Sequence, residues 1–93
     1  MTKIIDYASL AEAGVQSIIV TVECEEHHRG DFVTDVTGLV AYGPEGEVAL
    51  HDDLSTMVED AATDLADELE GEWWKAEVTI SVPEGKAEVE VVD

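Results

Sequence analysis

The stretch Asp52-Asp53-Leu54-Ser55-Thr56-Met57-Val58-Glu59-Asp60-Ala61-Ala62-Thr63-Asp64-Leu65-Ala66-Asp67-Glu68-Leu69-Glu70-Gly71 decides the fold. Leu54, Met57, Val58, Ala61, Ala62, Leu65 and Leu69 recur every three or four residues, which gathers them on one face of an α-helix. The other face carries Glu59, Asp60, Asp64, Asp67, Glu68 and Glu70 and no cation. Asp52, Asp53 or Ser55 can supply the N-cap, Thr56 and Glu59 have the capping-box spacing, and Gly71 stands where a C′ glycine belongs. A helix with such a stripe must bury it against a second layer.

The flanking sequence supplies strands for that layer. Downstream, Trp74, Ala76, Val78, Ile80 and Val82 alternate with polar residues. Pro83-Glu84-Gly85-Lys86 turns the chain, and Ala87, Val89 and Val91 repeat the apolar face, so the chain closes in a hairpin. Upstream, Ser17 to Glu25 reads as a strand with Ile18, Val20, Val22 and Cys24 on one face. Glu26-His27-His28-Arg29-Gly30-Asp31 reads as a turn. A second strand follows from Phe32 to Tyr42, with Phe32, Val36, Val40 and Tyr42 expected on one face. Gly38 marks a bulge or a close backbone approach. Gly43-Pro44-Glu45-Gly46 is a tight turn into a short strand, Glu47 to His51. Asp6 to Ala13 is a short helix stopped by Gly14. The expected architecture is α+β: residues 1–93 as one domain, an antiparallel sheet of about five strands in the order (α)βββαββ, and one long amphipathic helix on one face.

Charge is the unusual feature. Of 93 residues, 23 are acidic and four basic, a formal net charge of −19. The cations are Lys3, Arg29, Lys75 and Lys86, and asparagine is absent. At low salt the carboxylates repel one another and oppose the compact state. At molar salt the Debye length falls to about 3 Å and much of that cost disappears. The composition resembles that of proteins from archaea that accumulate salt. An acidic proteome would make acidity no evidence for a basic partner.

The same composition weighs on function. No basic patch exists to neutralise phosphates, so direct nucleic-acid binding is not expected. No apolar run approaches the 18 residues or so that read as a membrane span. The opening residues are too short and too charged for a signal peptide, so a cytoplasmic location is the expectation. A single cysteine precludes an internal disulfide.

Candidate chemistry is sparse. Cys24, His27 and His28, joined by His51, are the residues that could ligate zinc, since thiolate and imidazole are its usual ligands. The competing reading makes Cys24 a small core residue, and adjacent histidines on extended chain diverge. No cofactor is otherwise expected. Asp52 and Asp53 could hold a divalent cation, but in so acidic a chain adjacent carboxylates arise by chance. Gly85-Lys86 lacks the remainder of a phosphate-binding loop, and Arg29-Gly30-Asp31 is a turn. Trp73 and Trp74 are neighbours on a strand and face opposite sides. Trp74 is expected in the core, and Trp73 outward, as an interface anchor or beneath residues 1–7.

From Val36 to Val92 the chain resembles the C-terminal part of the YezG-like (DUF600) immunity-protein family. The shared pattern is a strand ending near Tyr42, a Gly turn, a short strand entering an amphipathic helix, Glu72-Trp73-Trp74 opening a strand, and a Gly85-Lys86 hairpin. The resemblance implies a fold and, with it, the neutralisation of a protein toxin by binding. The leading functional expectation is a non-enzymatic protein-binding or regulatory module, with an unknown protein or a second copy as partner. The alternatives are a zinc-dependent enzyme or sensor using Cys24, His27, His28 and His51, and an acidic mimic of nucleic acid built on Asp60, Asp64, Asp67 and Glu68.

Overall fold

A computed structural model describes residues 5–26, 32–69 and 73–92. The elements are α1 (Tyr7–Glu12), β1 (Ser17–Glu26), β2 (Phe32–Gly43), β3 (Gly46–Val48), α2 (Asp52–Asp67), β4 (Lys75–Ser81) and β5 (Lys86–Val91). The strands form one five-stranded sheet ordered β3-β2-β1-β4-β5, and every neighbouring pair is antiparallel. The class is therefore α+β, as the sequence pattern implies.

β1 is the central strand, paired on both sides. Its even positions Ile18, Val20 and Val22 are fully buried, as are Ala76, Val78 and Ile80 beside them on β4. α2 crosses this surface, packing on β2, β1 and β4. It presents Val58, Ala61, Ala62 and Ala66, all buried. Three small side chains in that row let the helix backbone settle close to the β-branched layer. No charged or polar residue is buried among the described residues. The acidic groups form a coat over an apolar interior.

α1 completes the core from the N-terminal side. Leu10 is fully buried and Val15 nearly so. The Asp6 backbone N–H approaches Met57 Sδ at 3.3 Å, which ties α1 to α2. Asp6 is the N-cap, accepting from the Ser9 N–H at 3.1 Å and the Ser9 hydroxyl at 2.8 Å. Gly14, at φ +82°, follows as the left-handed residue that ends the helix.

Those bonds to the ionised carboxylate hold the Asp6 pKa below its ordinary 3.8, the Ser9 hydroxyl contributing most. A depressed folded-state pKa contributes stability above the unfolded value that is lost as pH falls through the folded one. The increment from Asp6 is thus present at neutral pH and fades below about pH 4. Asp6→Asn keeps a capping side chain but removes the titration. Denaturant midpoints measured from pH 5 to pH 2.5 should fall less steeply for Asp6→Asn than for the wild type. Parallel curves would show that the cap does not sense charge.

β3 ends at Val48, short of the His51 expected, and three further details depart from the sequence reading. α2 begins earlier than expected: its N-cap is His51, which makes no side-chain capping bond, and Asp52 and Asp53 occupy the first turn. Anions there meet the free N–H groups and the positive end of the helix dipole without needing a cap position. Ser55, Thr56 and Glu59 are consequently interior. α2 also ends sooner, with Glu68 as C-cap and its N–H reaching back to Leu65 O at 3.3 Å. The last turn carries no basic residue, and its acidic ones oppose the dipole. Gly71, the expected C′ residue, lies outside the described residues.

The third departure is in β2. Thr21 pairs with Gly38 and Val22 with Val36, so Thr37 is an extra residue, a β-bulge. One extra residue reverses the alternation. Val36 faces the helix layer opposite Val22, but above the bulge it is Leu39 and Ala41 that face inward, opposite Val20 and Ile18. Val40 and Tyr42 therefore lie on the other side of the sheet, not with Val36 as expected. The bulge expected from Gly38 is present, one residue away. The close approach is absent, because a Cβ at Gly38 would meet Thr21 at an ordinary 3.6 Å.

Candidate functional site

α2 sets the distance between the metal candidates. His51 stands exposed at its N-terminus. At the C-terminal end, Asp67 accepts a hydrogen bond from Thr34 Oγ1 at 3.2 Å, and Thr34 lies opposite Cys24 in the sheet. A 16-residue helix spans about 24 Å, whereas zinc holds its ligands at about 2.0–2.3 Å. The structure thus does not bring Cys24 and His51 to a common ion. Cys24 is a half-buried free thiol on the helix side of β1. His27 and His28, with the rest of the expected turn through Asp31, lie outside the described residues. Among the described residues no group of three or more His, Cys, Asp or Glu could hold a metal.

A concavity lies between the β2–β3 hairpin and the first turns of α2. It encloses about 600 Å³ and is bordered by Leu39, Val48, Leu50, Ser55 and Glu59. Its polar groups are hydroxyl and carboxylate, and its lining holds neither a cation nor an imidazole.

The two tryptophans differ in exposure, and Trp74 departs from the core position expected of it. Trp73 is half-buried and packs against the core cluster. Trp74 is 51% exposed. Its carbonyl accepts from the Cys24 N–H at 2.9 Å, so the β4 ladder does reach it. Alternation therefore directs Trp74 toward the helix layer, as the sequence implies. However, α2 has already ended, on Thr34 of β2, two strands away. Trp74 is accordingly half exposed, and its core position is corrected to a surface one. Of the two, Trp74 is the more exposed.

Trp74 is not isolated. Val91 and Val92 are 45% and 46% exposed, and Val92 N–H donates to Lys75 O at 3.0 Å, beside Trp74. Among the described residues, these are three of the four exposed large hydrophobics, and they share one end of the β4–β5 hairpin. β5 is also the sheet's outer strand. The Val92–Lys75 bond sets its phase, since antiparallel residues alternate between facing the neighbouring strand and facing away. Glu88 and Glu90 direct their backbone groups to β4. Ala87, Val89 and Val91 direct theirs outward, past the sheet. At the opposite edge, β3 has only three residues. The β5 edge and the exposed apolar side chains coincide, and no sequence periodicity announces that, because the edge follows from strand order and the exposure of Trp74 from where α2 stops.

Lys86 and Glu88 form an ion pair at 2.9 Å on the open face of β5, with both side chains mostly exposed. The Glu88 carboxylate raises the Lys86 pKa above its ordinary value, by hydrogen bond first and by charge second. At such exposure the pair orients Lys86 more than it stabilises the fold.

Together these features define a two-layer α+β domain with one bare sheet face among the described residues, an open β5 edge and exposed apolar side chains at the end of that edge; on the other side β3 covers only Ala41–Gly43 of β2. No family model, curated protein or solved structure matches the chain.

Proposed function

We propose that this chain is a non-enzymatic protein-binding or regulatory module, adapted to a salt-rich cytoplasm, that makes contact through the β5 edge and the Trp74–Val91–Val92 patch. One observation carries the reading: exposed large side chains and outward-facing backbone groups meet at the same end of the sheet. Edge strands of this kind recruit a partner by strand addition, main-chain bonds supplying affinity and flanking side chains specificity. An exposed aromatic is the usual anchor at such a contact.

Two substitutions separate contact from folding. Trp74→Ala removes a half-exposed ring and should leave the melting temperature within a few degrees of wild type. Trp73→Ala opens a space against the core and should cost about 2 kcal/mol. A protein retained by the wild-type chain in molar KCl would be identified and titrated against the purified variants. Trp74→Ala, combined with Val91→Ser, should weaken that contact at least about tenfold. Undiminished binding by this double variant removes the edge and patch as the contact surface.

A further inference from the structure

We propose that the occupant of the β5 edge is β5 of a second copy, paired antiparallel about a two-fold axis at Glu88. The inference rests on the edge being a contact surface, and it adds what the edge binds.

The argument is the order of charges along one strand. On the open face of the sheet β5 presents Lys86, Glu88 and Glu90 in succession, a cation at one end and anions toward the other. An antiparallel copy reverses that order. With Glu88 on the axis, Lys86 of each copy lies across from Glu90 of the other, and only the two Glu88 residues meet a like charge. Opposite charges across a pair stabilise it, and like charges oppose it. A parallel copy in register would set Lys86 against Lys86 and Glu90 against Glu90. Sliding the antiparallel pair toward the C-terminus, with Val89 on the axis, would set Glu88 against Glu90 twice.

The backbone selects compatible registers. Residues whose N–H and C=O point outward must meet one another. With Glu88 on the axis, Ala87 of one copy faces Val89 of the other, and both belong to the outward set. The same pairing lines up Ala87 and Val89 of both copies on the helix side, where α2 packs mainly on β1, β2 and β4. A continuous apolar strip results, shared between two sheets. Two-fold pairing of this kind closes on itself and does not propagate.

The association depends on salt. Each copy carries −19, so long-range repulsion opposes approach until the Debye length falls well below the size of the domain. Six residues give a contact only about 20 Å long, which places the dimer among weak, concentration-dependent ones.

Sedimentation velocity in about 1 M KCl, from about 10 μM to about 1 mM, reads the equilibrium. Wild type should move from monomer to dimer across that range. Val89→Pro removes an outward N–H that makes no bond to β4, and should remain monomeric with an unchanged circular-dichroism spectrum. Lys86→Glu replaces two attractions by two repulsions and should weaken the dimer about tenfold. Adding Glu90→Lys to the same chain exchanges the charges and should restore the affinity to within about threefold. That rescue is specific to this register. A wild-type monomer at every concentration, in protein that still binds a different partner through Trp74, overturns self-pairing but leaves the binding module standing. A dimer indifferent to Val89→Pro and to the charge exchange also overturns it, because the copies then meet elsewhere.

Discussion

Raising KCl from about 0.1 M to about 3 M should raise the melting temperature by about 20 °C. The chain carries −19, and its folded form holds that charge within a radius of gyration of 13.4 Å. An unfolded chain of this length spreads it over about twice that radius. Folding therefore concentrates like charge, and the cost is set by how far each carboxylate senses the others. At about 0.1 M the Debye length is about 10 Å, comparable to the domain, and at molar salt it is about 3 Å. Summed over so many carboxylates, the difference is on the order of 4 kcal/mol. Each kcal/mol shifts the midpoint of a domain this size by about 4–8 °C. Local geometry points the same way. Asp60 and Asp64, and then Asp64 and Glu68, stand four residues apart on α2, and the last turn holds no cation.

Thermal unfolding followed at 222 nm across a KCl series checks the result. Asp60→Lys provides the matching control. It should raise the midpoint at low salt and lose most of that advantage at about 3 M, where screening already does the same work. NaCl should match KCl if screening is the cause. A midpoint that stays flat from low to high salt would refute the halophile reading. The outer row of α2 would then become a candidate binding surface in its own right.

Much of the architecture was legible because it depends on local pattern. The 3.6-residue period of α2 and the alternation of β1, β4 and β5 follow from which residues can share a face, and the core uses those faces. The departures at Val40, Tyr42 and Trp74 have non-local causes. Val40 and Tyr42 were assigned to the wrong side because Thr37 enters β2 as an extra residue, and alternation cannot be carried through a bulge. Trp74 was placed in the core because its strand phase points there, yet its burial depends on how far α2 reaches over the sheet. The N-cap falls instead on His51: Asp52, Asp53 and Ser55 are all able to cap, and the dipole rewards carboxylates in the first turn as well as at the cap. Of the candidate site, the residue types were legible and their meeting was not. Cys24 and His51 both fall at expected strand ends, and the length of α2 lies between them. The open β5 edge follows from strand order alone, which no single strand encodes.

The second large effect is expected where two turns touch. Gly43→Ala should destabilise the domain by about 3 kcal/mol. A Cβ at this position would lie 2.5 Å from the Gly14 carbonyl oxygen and 2.8 Å from Val48 Cγ2. The Val48 methyl could give way, but the oxygen belongs to backbone held on both sides. Gly14 N–H donates to Ala11 O at 3.0 Å, Val15 N–H to Leu10 O at 3.0 Å, and Gln16 N–H to Tyr42 O at 2.7 Å. Moving the oxygen aside means loosening the link between α1 and β2, and Leu10 and Val15, both core residues, are fastened to that link. A domain of this size has a stability of only about 5–10 kcal/mol to lose. At low salt, where repulsion already consumes part of that margin, Gly43→Ala should be partly unfolded. In molar KCl it should recover a cooperative transition with a midpoint about 15 °C below wild type. Gly38→Ala is the contrast: its Cβ meets Thr21 at 3.6 Å and its φ is outside the left-handed range, so its midpoint should stay within a few degrees of wild type. Equal midpoints for the two variants would mean that the link between α1 and β2 yields freely. α1 would then be an accessory to the core and not one of its walls.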